Sequence, residues 1–354
     1  MVEMKELALD GTKLIHHLDA LSQWKQGETV YPILVEVSPT NQCNQNCVFC
    51  AYEYLSRRPV HFIKKDILIR AVKELGGMGT KSVFYSGEGE PLLHKDLPEM
   101  VEEISAMGFD QALNTNGVLL ETDRMQRILP HLSWVRISVN GGTQDSYRSV
   151  HQTDRADFGR VLKNIEAAAS YKHRESLRTT IGVQMVYVGQ PREEVTSLAG
   201  TAKEMGADYF TLKNFNPHPA SKFRPPAEEP CEIIQQVEGF SDERYTAVVR
   251  WNLKEDGSRR PYRRCYALPF FAEILSNGDV YSCGPHLGNP KFCYGNINEM
   301  SFRSLWSLEN RAPVEEHVAG LKDLDKICMP NCRLDAANRF LWDLRNPPAH
   351  INFI

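Results

Sequence analysis

The sequence has no long hydrophobic run and no excess of one charge. No uninterrupted apolar stretch approaches the roughly 18 residues that indicate a membrane-spanning helix. The first residues, MVEMKELALDGTK, lack the basic-then-apolar arrangement of a secretory signal, so we expect a cytoplasmic protein. Lys and Arg number 41 against 45 Asp and Glu, a net charge of −4. This balance gives no electrostatic case for a nucleic acid or an anionic membrane as a partner.

The cysteine content is more informative than the bulk composition. The 354 residues are 42% hydrophobic and 24% charged, which is ordinary for a soluble globular protein, and the length favours two domains. Nine cysteines, an odd number, occur without a secretory signal. We therefore expect metal ligands in a reducing compartment rather than a framework of disulfides.

Three cysteines, Cys43, Cys47 and Cys50, form a C-x3-C-x2-C motif directly after a short apolar segment, residues 33–37. Three thiolates on one loop can hold three corners of an iron–sulfur cube and leave the fourth iron without a protein ligand. An open coordination position is typical of catalytic metal sites, whereas structural sites are closed. A zinc knuckle or three buried thiols is the structural alternative.

With Phe49 just before its last cysteine, this motif resembles that of the radical S-adenosylmethionine (SAM) enzymes. The resemblance implies a [4Fe–4S] cluster whose open iron binds the amino and carboxylate groups of SAM. It also implies reductive cleavage of SAM to a 5′-deoxyadenosyl radical, which abstracts hydrogen from a substrate. An electron donor such as flavodoxin or ferredoxin would be a partner.

Short apolar strands alternate with longer helical segments after residue 31. The predicted strands are residues 33–37, 82–85, 112–115, 135–139, 181–188 and 209–212, and the predicted helices are residues 64–75, 97–107, 122–129, 158–171 and 192–205. Six such units in series predict a parallel sheet with helices outside, either an open barrel or a doubly wound sheet. The cysteine motif follows the first strand, at the end where such folds carry their chemistry. The family resemblance implies a partial (β/α)6 TIM-like barrel.

Several residues near strand ends are candidates for SAM binding. The segment 87–91, GEGEP, resembles the family's G-G-E-P stretch, whose backbone binds the SAM amino group. Polar residues also end the third and fourth strands, and a glutamine lies within the fifth; turn formation or a buried hydrogen-bond network is the structural alternative. The predicted SAM-binding residues are Phe49, Gly87, Glu88, Gly89, Glu90, Asn116, Ser138, Asn140 and Gln184.

The C-terminal part holds a second group of cysteines. A β-hairpin is predicted over residues 270–283, with its turn at Asn277 and Gly278. The spacing resembles the auxiliary-cluster domains called SPASM, or Twitch in the shorter form, although the dense cysteine run of full SPASM domains is missing. The resemblance implies one auxiliary [4Fe–4S] cluster, and a zinc ribbon is the alternative. The predicted ligands are Cys265, Cys283, Cys328 and Cys332.

Two cysteines belong to neither group: Cys231, after the proline-rich segment, is interpreted as a free thiol, and Cys293 is the surplus cysteine of the C-terminal part. Cys293 has three interpretations. It is interpreted as a cluster ligand, as a thiol that donates hydrogen to a substrate radical and so gives epimerisation, or as a buried structural residue. Lys213, His286 and Glu273 are the acid/base candidates.

The sequence predicts three regions: a helical lead-in over residues 1–30, a radical SAM core over 31–230, and a linker with the auxiliary-cluster domain over 231–354. Within these 354 residues we expect no separate leader-binding domain of the kind that many peptide-modifying relatives carry. We therefore expect a small-molecule substrate, carbohydrate or nucleoside-like, that undergoes dehydrogenation, epimerisation or decarboxylation. Peptide or protein side-chain modification is the alternative, and a zinc or redox adaptor is the hypothesis without catalysis.

Overall fold

The computed structural model describes residues 11–55, 58–218, 220–221, 223–225, 231–250, 260–329 and 332–353. Its strands are β1 Leu34–Val37, β2 Ser82–Tyr85, β3 Asp110–Thr115, β4 Trp134–Ser138, β5 Thr180–Tyr187, β6 Tyr209–Asn214, β7 Thr246–Arg250, β8 Phe271–Ile274, β9 Asp279–Tyr281 and β10 Cys293–Asn296. Its α-helices are α1 Leu18–Gln26, α2 Lys65–Gly77, α3 Leu97–Ala106, α4 Thr122–Ile128, α5 Gln144–His151, α6 Asp157–Arg174, α7 Arg192–Glu204, α8 Cys231–Glu238, α9 Phe302–Leu305, α10 Leu308–Ala319, α11 Leu324–Ile327 and α12 Asp335–Arg345.

One sheet contains all ten of these strands, in the order β10-β9-β8-β1-β2-β3-β4-β5-β6-β7. Strands β1 to β7 are parallel neighbours in chain order. Strand β8 pairs in parallel with the free side of β1, and β9 and β10 continue the sheet as antiparallel strands. The predicted α/β class with a parallel sheet is therefore confirmed, and so is the hairpin, which is formed by β8 and β9.

The sheet curves around a cavity. Side chains in one face of a strand alternate with those in the other face, so residues two apart point the same way. Phe84 of β2, Arg136 of β4, Lys213 of β6 and Phe271 of β8 all line one cavity, although their strands span most of the sheet. Only a curved sheet brings these side chains together, and this curvature favours the open barrel over the flat, doubly wound alternative.

The opposite face of the sheet packs against the helices. On β1, Val35 and Val37 are buried in the main hydrophobic core together with Leu68 and Val72 of α2, while Glu36 between them points to the interior of the barrel. Burial of each such aliphatic side chain stabilises the fold by about 1.5–3 kcal/mol. In the strand sequence LVEV, the two valines therefore mark the face that packs in the core, and the glutamate marks the face that points into the barrel.

The six strands and five helices predicted in the core are present, with ends shifted by at most three residues. Strand β7 was not predicted, because its run TAVVR is short and follows a proline-rich segment that ends the βα rhythm. Helix α5 was not predicted either, because its polar sequence QDSYRSVH carries only two buried side chains. In the described part of the chain, no helix has the length and apolar character needed to cross a membrane.

The N-terminal helical segment packs against the C-terminal helix. Leu14, in a short 3-10 helix, and Leu21 of α1 contact a small core that includes Ala337 and Leu341 of α12. The two ends of the described chain thus close the same side of the molecule.

Candidate active site

A cavity of about 1590 Å³ opens at the C-terminal ends of the parallel strands. Cys43, Cys47 and Cys50 line one part of its wall, and Cys283 and Cys332 line another. The structure thus brings residues from both cysteine groups to a single chamber, although about 215 residues separate them in the sequence. The interior is large enough for a small-molecule ligand together with a cofactor.

Backbone hydrogen bonds to the end of α5 hold the first cysteine loop in place. The amides of Asn46 and Val48 donate to the carbonyl oxygens of His151 and Val150, each over 3.0 Å. Because these bonds flank Cys47, they hold its backbone at the mouth of the barrel without using its side chain.

Cys43 is exposed, whereas Cys47 and Cys50 are half-buried, and all three line the cavity. Desolvation by the surrounding loop, followed by the charges of Glu90 and Cys50, raises the pKa of Cys43 to about 11, while the backbone amide of Gln45 acts in the opposite direction. Burial also raises the pKa values of Cys47 and Cys50. Unliganded, these groups stay protonated, and a bound metal centre would displace the protons.

The donor set fits an iron–sulfur cube better than a single ion. Among the residues that the structure describes, no three His, Cys, Asp or Glu side chains converge closely enough to hold one metal ion. A tetrahedral zinc site needs thiolates about 2.3 Å from one point. A cube presents its irons at separate corners, so its thiolates need not converge. Three thiols that line one wall of the chamber match that requirement.

The glycines of the 87–91 segment allow close contact with the cysteine loop. A Cβ atom on Gly89 would lie 2.3 Å from the carbonyl oxygen of Gln42, and one on Gly87, whose φ is +102°, would lie 1.8 Å from Oγ of Ser38. The amide of Glu90 donates to the same Gln42 oxygen over 2.9 Å. Both glycines also line the cavity, as expected of a segment that approaches a ligand.

The side chain of Glu88 faces away from the cavity. Its carboxylate pairs with Arg58 and accepts hydrogen bonds from the amide and hydroxyl of Ser276, both 3.2 Å long. Ser276 lies in the turn between β8 and β9. Glu88 therefore links the glycine segment to the C-terminal hairpin, and of its atoms only the backbone remains a candidate for SAM contact.

Glu90 and Asn116 connect neighbouring strand ends. The Glu90 carboxylate accepts from the hydroxyl of Thr115 over 2.6 Å and from the amide of Asn116 over 2.7 Å. Burial raises the pKa of Glu90, and these donors oppose that shift. The Asn116 side chain donates to Oδ1 of Asn44 in the cysteine loop over 2.7 Å. Both residues line the cavity, so they shape it and support the loop as well.

Asn140 holds His151 next to a cysteine. The Asn140 amide donates to Nε2 of His151 over 3.0 Å, which leaves the ring proton on Nδ1. Nδ1 lies 2.7 Å from Oε1 of Gln45 and 3.3 Å from Sγ of Cys47. Burial lowers the pKa of His151 to about 3, so the ring is neutral. His151 was not predicted as a site residue, because no local pattern links it to a cysteine loop about 100 residues earlier.

The remaining predicted SAM-binding residues also reach the cavity. Phe49, Ser138 and Gln184 line it, and Ser138 and Gln184 are register partners on β4 and β5. Parallel register places their side chains in the same face of the sheet.

The four cysteines predicted to hold the auxiliary cluster lie within electrostatic range of one another. Burial raises the pKa of Cys283, and the next contributions come from Cys332, Cys265 and Cys328. Burial likewise raises the pKa of Cys265 to about 12, and Nδ2 of Asn338 donates to its sulfur over 3.3 Å. The hairpin and the segment before α12 thus assemble the predicted four-thiol set.

Cys293 belongs to neither group. It begins β10, pairs in register with Tyr281, and its thiol lies 3.5 Å from the carbonyl oxygen of Gly295. It packs with residues such as Phe292 and Leu55 and is not among the described residues that line the cavity. Strand β10 is the edge strand beyond β9, and the thiol is outside the described lining, so the structure does not bring Cys293 to the site as a hydrogen donor.

The acid/base candidates have three different environments. Lys213 lines the cavity. Glu273 is fully buried beside Glu36 on the adjacent strand, and burial together with that like charge raises its pKa to about 8. His286 stacks on Phe292 with a ring-centroid distance of 3.9 Å and lies outside the described cavity lining. Burial lowers its pKa to about 4.

Glu36 and Arg333, which were not predicted as site residues, form an ion pair in the interior of the barrel. Arg333, directly after Cys332, lines the cavity and pairs with the buried Glu36. The acidic residue within the apolar strand LVEV could have indicated this pair, because an isolated buried carboxylate requires a partner. Only the tertiary structure identifies that partner.

Comparisons with known proteins agree with this arrangement. The family profile described as the Radical SAM superfamily matches residues 37–202, and that described as an iron-sulfur cluster-binding domain, SPASM, matches residues 265–333. A protein named "Probable GTP 3′,8-cyclase" from Saccharolobus islandicus is 24% identical over 262 residues, 74% of this chain and 77% of that protein. An "AdoMet-dependent heme synthase" from Methanosarcina barkeri is 25% identical over 339 residues, 86% and 92% of the two chains.

Solved structures share the fold at low sequence identity. SuiB from Streptococcus suis, bound to S-adenosylmethionine, superposes with a TM-score of 0.67 at 16% identity and covers 90% of this chain and 76% of its own. A structure described as anSMEcpe with bound AdoMet gives a TM-score of 0.57 at 16% identity, with 89% and 94% coverage. These structures share the fold with this chain. The two matched profiles show that the chain contains a radical SAM domain over residues 37–202 and a SPASM-type iron–sulfur domain over residues 265–333.

Proposed function

We propose that this radical SAM enzyme abstracts hydrogen from a carbohydrate or nucleoside-like small molecule bound between its two cysteine groups. The observation that carries the proposal is the single cavity that both groups line. A substrate in that chamber lies within reach of both. Two relatives are named for small-molecule chemistry, a GTP 3′,8-cyclase and a heme synthase, and these names support a small-molecule substrate over a peptide.

In this proposal, Cys43, Cys47 and Cys50 hold the catalytic [4Fe–4S] cluster, which an external donor such as flavodoxin or ferredoxin reduces. When bound, the cluster supplies the electron that cleaves SAM. The predicted auxiliary set, Cys265, Cys283, Cys328 and Cys332, holds one further cluster. Arg260 supports the position of Cys328. Its buried guanidinium donates to the carbonyl oxygen of Met329, the next residue, over 2.9 Å.

The chain's own residues would orient SAM along the ends of β2 to β5. Gly87 and Gly89 let the backbone approach its methionine part, and Asn116 and Ser138 offer polar side chains at the neighbouring strand ends. Gln184 lies beside Ser138 in register and extends this polar surface into the interior. Apolar walls such as Phe49 and Phe84 limit the entry of water to the reacting atoms.

The substrate would occupy the remaining volume of the cavity, toward β6, β7 and the lining residues Met329 and Cys332. Because Cys293 lies outside the described lining, the proposal does not use it as a hydrogen donor. Dehydrogenation or decarboxylation, in which the substrate loses electrons, agrees with an auxiliary cluster beside the chamber. Epimerisation would need a hydrogen donor other than Cys293.

The test uses anaerobically reconstituted protein with dithionite and SAM. We expect 5′-deoxyadenosine to form, and to form faster with a true substrate than without one. A triple variant, Cys43→Ala, Cys47→Ala and Cys50→Ala, should retain the auxiliary iron and form none. Failure of the wild-type protein to produce 5′-deoxyadenosine would refute the proposal. A peptide that accelerates SAM cleavage, where sugars and nucleosides do not, would replace the small-molecule substrate with peptide modification.

A further inference from the structure

The chain segments that follow the two cysteine groups meet at one histidine. Tyr54 comes four residues after Cys50, and Pro285 comes two residues after Cys283. His218, in the segment after β6, contacts both Tyr54 and Pro285, and it lines the cavity. Only 6% of this histidine is exposed to solvent. Three segments that are far apart in the sequence therefore share one buried contact.

Hydrogen bonds fix the tautomer of His218. The amide of Ala220 donates to Nδ1 over 3.0 Å, so this nitrogen accepts and the ring proton lies on Nε2. Nε2 donates to the carbonyl oxygen of Pro285 over 2.9 Å. Because protein groups occupy both ring nitrogens, the ring is neither a metal ligand nor an acid or base in this arrangement. Its contribution to the site is therefore the position of the groups that it contacts.

The face of the His218 ring contacts the segment that follows the catalytic cysteines. The Tyr54 ring stacks on it, with a centroid distance of 4.5 Å and an interplanar angle of 10°. Such ring pairs add to the stabilisation that burial provides. The Tyr54 hydroxyl also donates to the carbonyl oxygen of Leu287, two residues after Pro285, over 3.3 Å. Tyr54 is thus attached to the 284–289 segment both directly and through His218.

An apolar contact joins the same two segments. Leu55, next to Tyr54, is buried in a small cluster that includes Leu287 and Phe292. A Cβ atom on Gly288, whose φ is +81°, would lie 3.1 Å from Cδ2 of Leu55. The two segments therefore pack without spare volume, and a displacement of one is transmitted to the other.

We propose that His218 is a positioning residue, which holds the loop of Cys43, Cys47 and Cys50 and the hairpin of Cys283 at a fixed separation across the chamber. The inference goes beyond the proposed substrate class and rests on that part of the proposed function in which both cysteine groups hold clusters. Displacement of a reacting group by about 1 Å can cost on the order of 100-fold in rate. A reaction that uses both groups therefore depends on this separation.

The test removes the contacts of His218 one at a time. His218→Phe keeps a ring beside Tyr54 and removes the Nε2 donor, whereas His218→Gln removes the ring and keeps a donor that can reach Pro285. Hydrogen exchange of the reconstituted holoprotein is followed by mass spectrometry in two peptides, residues 51–55 and 284–289. In His218→Phe we expect both peptides to exchange at least about five-fold faster, the factor that corresponds to one lost hydrogen bond. His218→Gln should exchange more slowly than His218→Phe in both peptides.

A milder variant serves if His218→Phe loses iron. Tyr54→Phe keeps the stacked ring and removes only the hydroxyl contact with Leu287. Residues 51–55 and 284–289 should again exchange faster together, because each segment loses a contact with the other. Faster exchange in only one of the two peptides would contradict the proposed link.

His94→Phe is the matched control. His94 makes the same pair of hydrogen bonds, since the amide of Asp96 donates to Nδ1 over 3.1 Å and Nε2 lies 2.8 Å from the carbonyl oxygen of Ile63. It is equally buried but lies outside the described cavity lining. This variant should leave the exchange of both peptides unchanged.

An EPR spectrum of the reduced holoprotein supplies a second measurement, because the magnetic interaction between two clusters depends on their separation. The spectrum of His218→Phe should differ from that of the wild type, and that of His94→Phe should not. The proposal is overturned if neither peptide or only residues 284–289 exchange faster in His218→Phe, or if its spectrum matches the wild type. No substrate is present in these experiments, so a failure here is distinguishable from a failure of the proposed reaction.

Discussion

Replacement of Gly89 by alanine tests whether the glycine segment positions the cysteine loop. The added Cβ would lie 2.3 Å from the carbonyl oxygen of Gln42 and 2.6 Å from that of Thr40. An ordinary carbon–oxygen contact is about 3.3 Å, so the two backbones must separate by about 1 Å. That separation also strains or breaks the 2.9 Å hydrogen bond from the Glu90 amide to the Gln42 oxygen. Gln42 directly precedes Cys43, so the displacement reaches the first thiol of the motif.

The expected magnitude follows from these contacts. Overpacking against rigid backbone costs about 1–3 kcal/mol, and the lost hydrogen bond about 1 kcal/mol more. For a chain of this length, whose unfolding entropy is correspondingly large, the midpoint of thermal unfolding should fall by about 3–5 °C. Displacement of Cys43 should also remove the catalytic cluster and leave the auxiliary one. Iron content would then fall from about eight to about four atoms per chain.

Gly77→Ala is the matched control. Gly77 ends helix α2, and a Cβ there would meet nothing within 4 Å. Alanine at that position should leave iron content unchanged and alter stability by no more than about 1 kcal/mol, in the stabilising direction. Differential scanning calorimetry and iron analysis of the three proteins decide the matter. If the Gly89→Ala protein binds as much iron as the wild type and unfolds at the same temperature, the glycine does not set the loop position.

Three further predictions concern other parts of the site. His151→Phe keeps the ring but removes the Nδ1 proton that lies near Cys47; the reduction potential of the catalytic cluster should fall, and an unchanged potential in EPR-monitored titrations would contradict this. Cys293→Ser should bind as much iron as the wild type, because this thiol lies outside both cysteine groups, and a loss of iron would make it a ligand. Folding lowers the pKa of Lys213 from 10.5 to about 7. Between these two pH values the lysine is protonated in the unfolded chain and neutral in the folded protein. Stability to urea should therefore rise with pH across that window, and Lys213→Met should flatten the rise; an equally steep rise in the variant would contradict the assignment.

Much of the fold could be predicted from the sequence because its strands and helices follow from hydrophobic patterns within short segments. Apolar runs of four to eight residues alternate with amphipathic helices, and that rhythm by itself specifies a parallel α/β sheet. Where the rhythm was weak, prediction failed. Strand β7, Thr246–Arg250, has too few apolar residues to be recognised, yet its register with β6 places Arg250 beside Lys213.

The site likewise contains residues that local sequence patterns indicate and contacts that only the fold creates. Cys43, Cys47 and Cys50 are close in sequence, so their spacing alone indicated a shared centre. The predicted contact role of Glu88 did not extend to its side chain, which is held by Arg58 and Ser276. No local pattern reports such a partner, because Ser276 is about 190 residues away in the sequence.

The sequence alone determined the chemistry of the ligands and the class of fold, since thiol spacing and hydrophobic periodicity are properties of short segments. The tertiary structure decided which side chains share the chamber. Curvature of the sheet brought the charged residues of β4, β6 and β7 to one wall of the chamber, whereas Cys293, on the edge strand β10, is not among the described residues that line it. The reason is that the period of a strand shows which residues share a face, whereas closure of the sheet and pairing with distant strands decide what that face encloses.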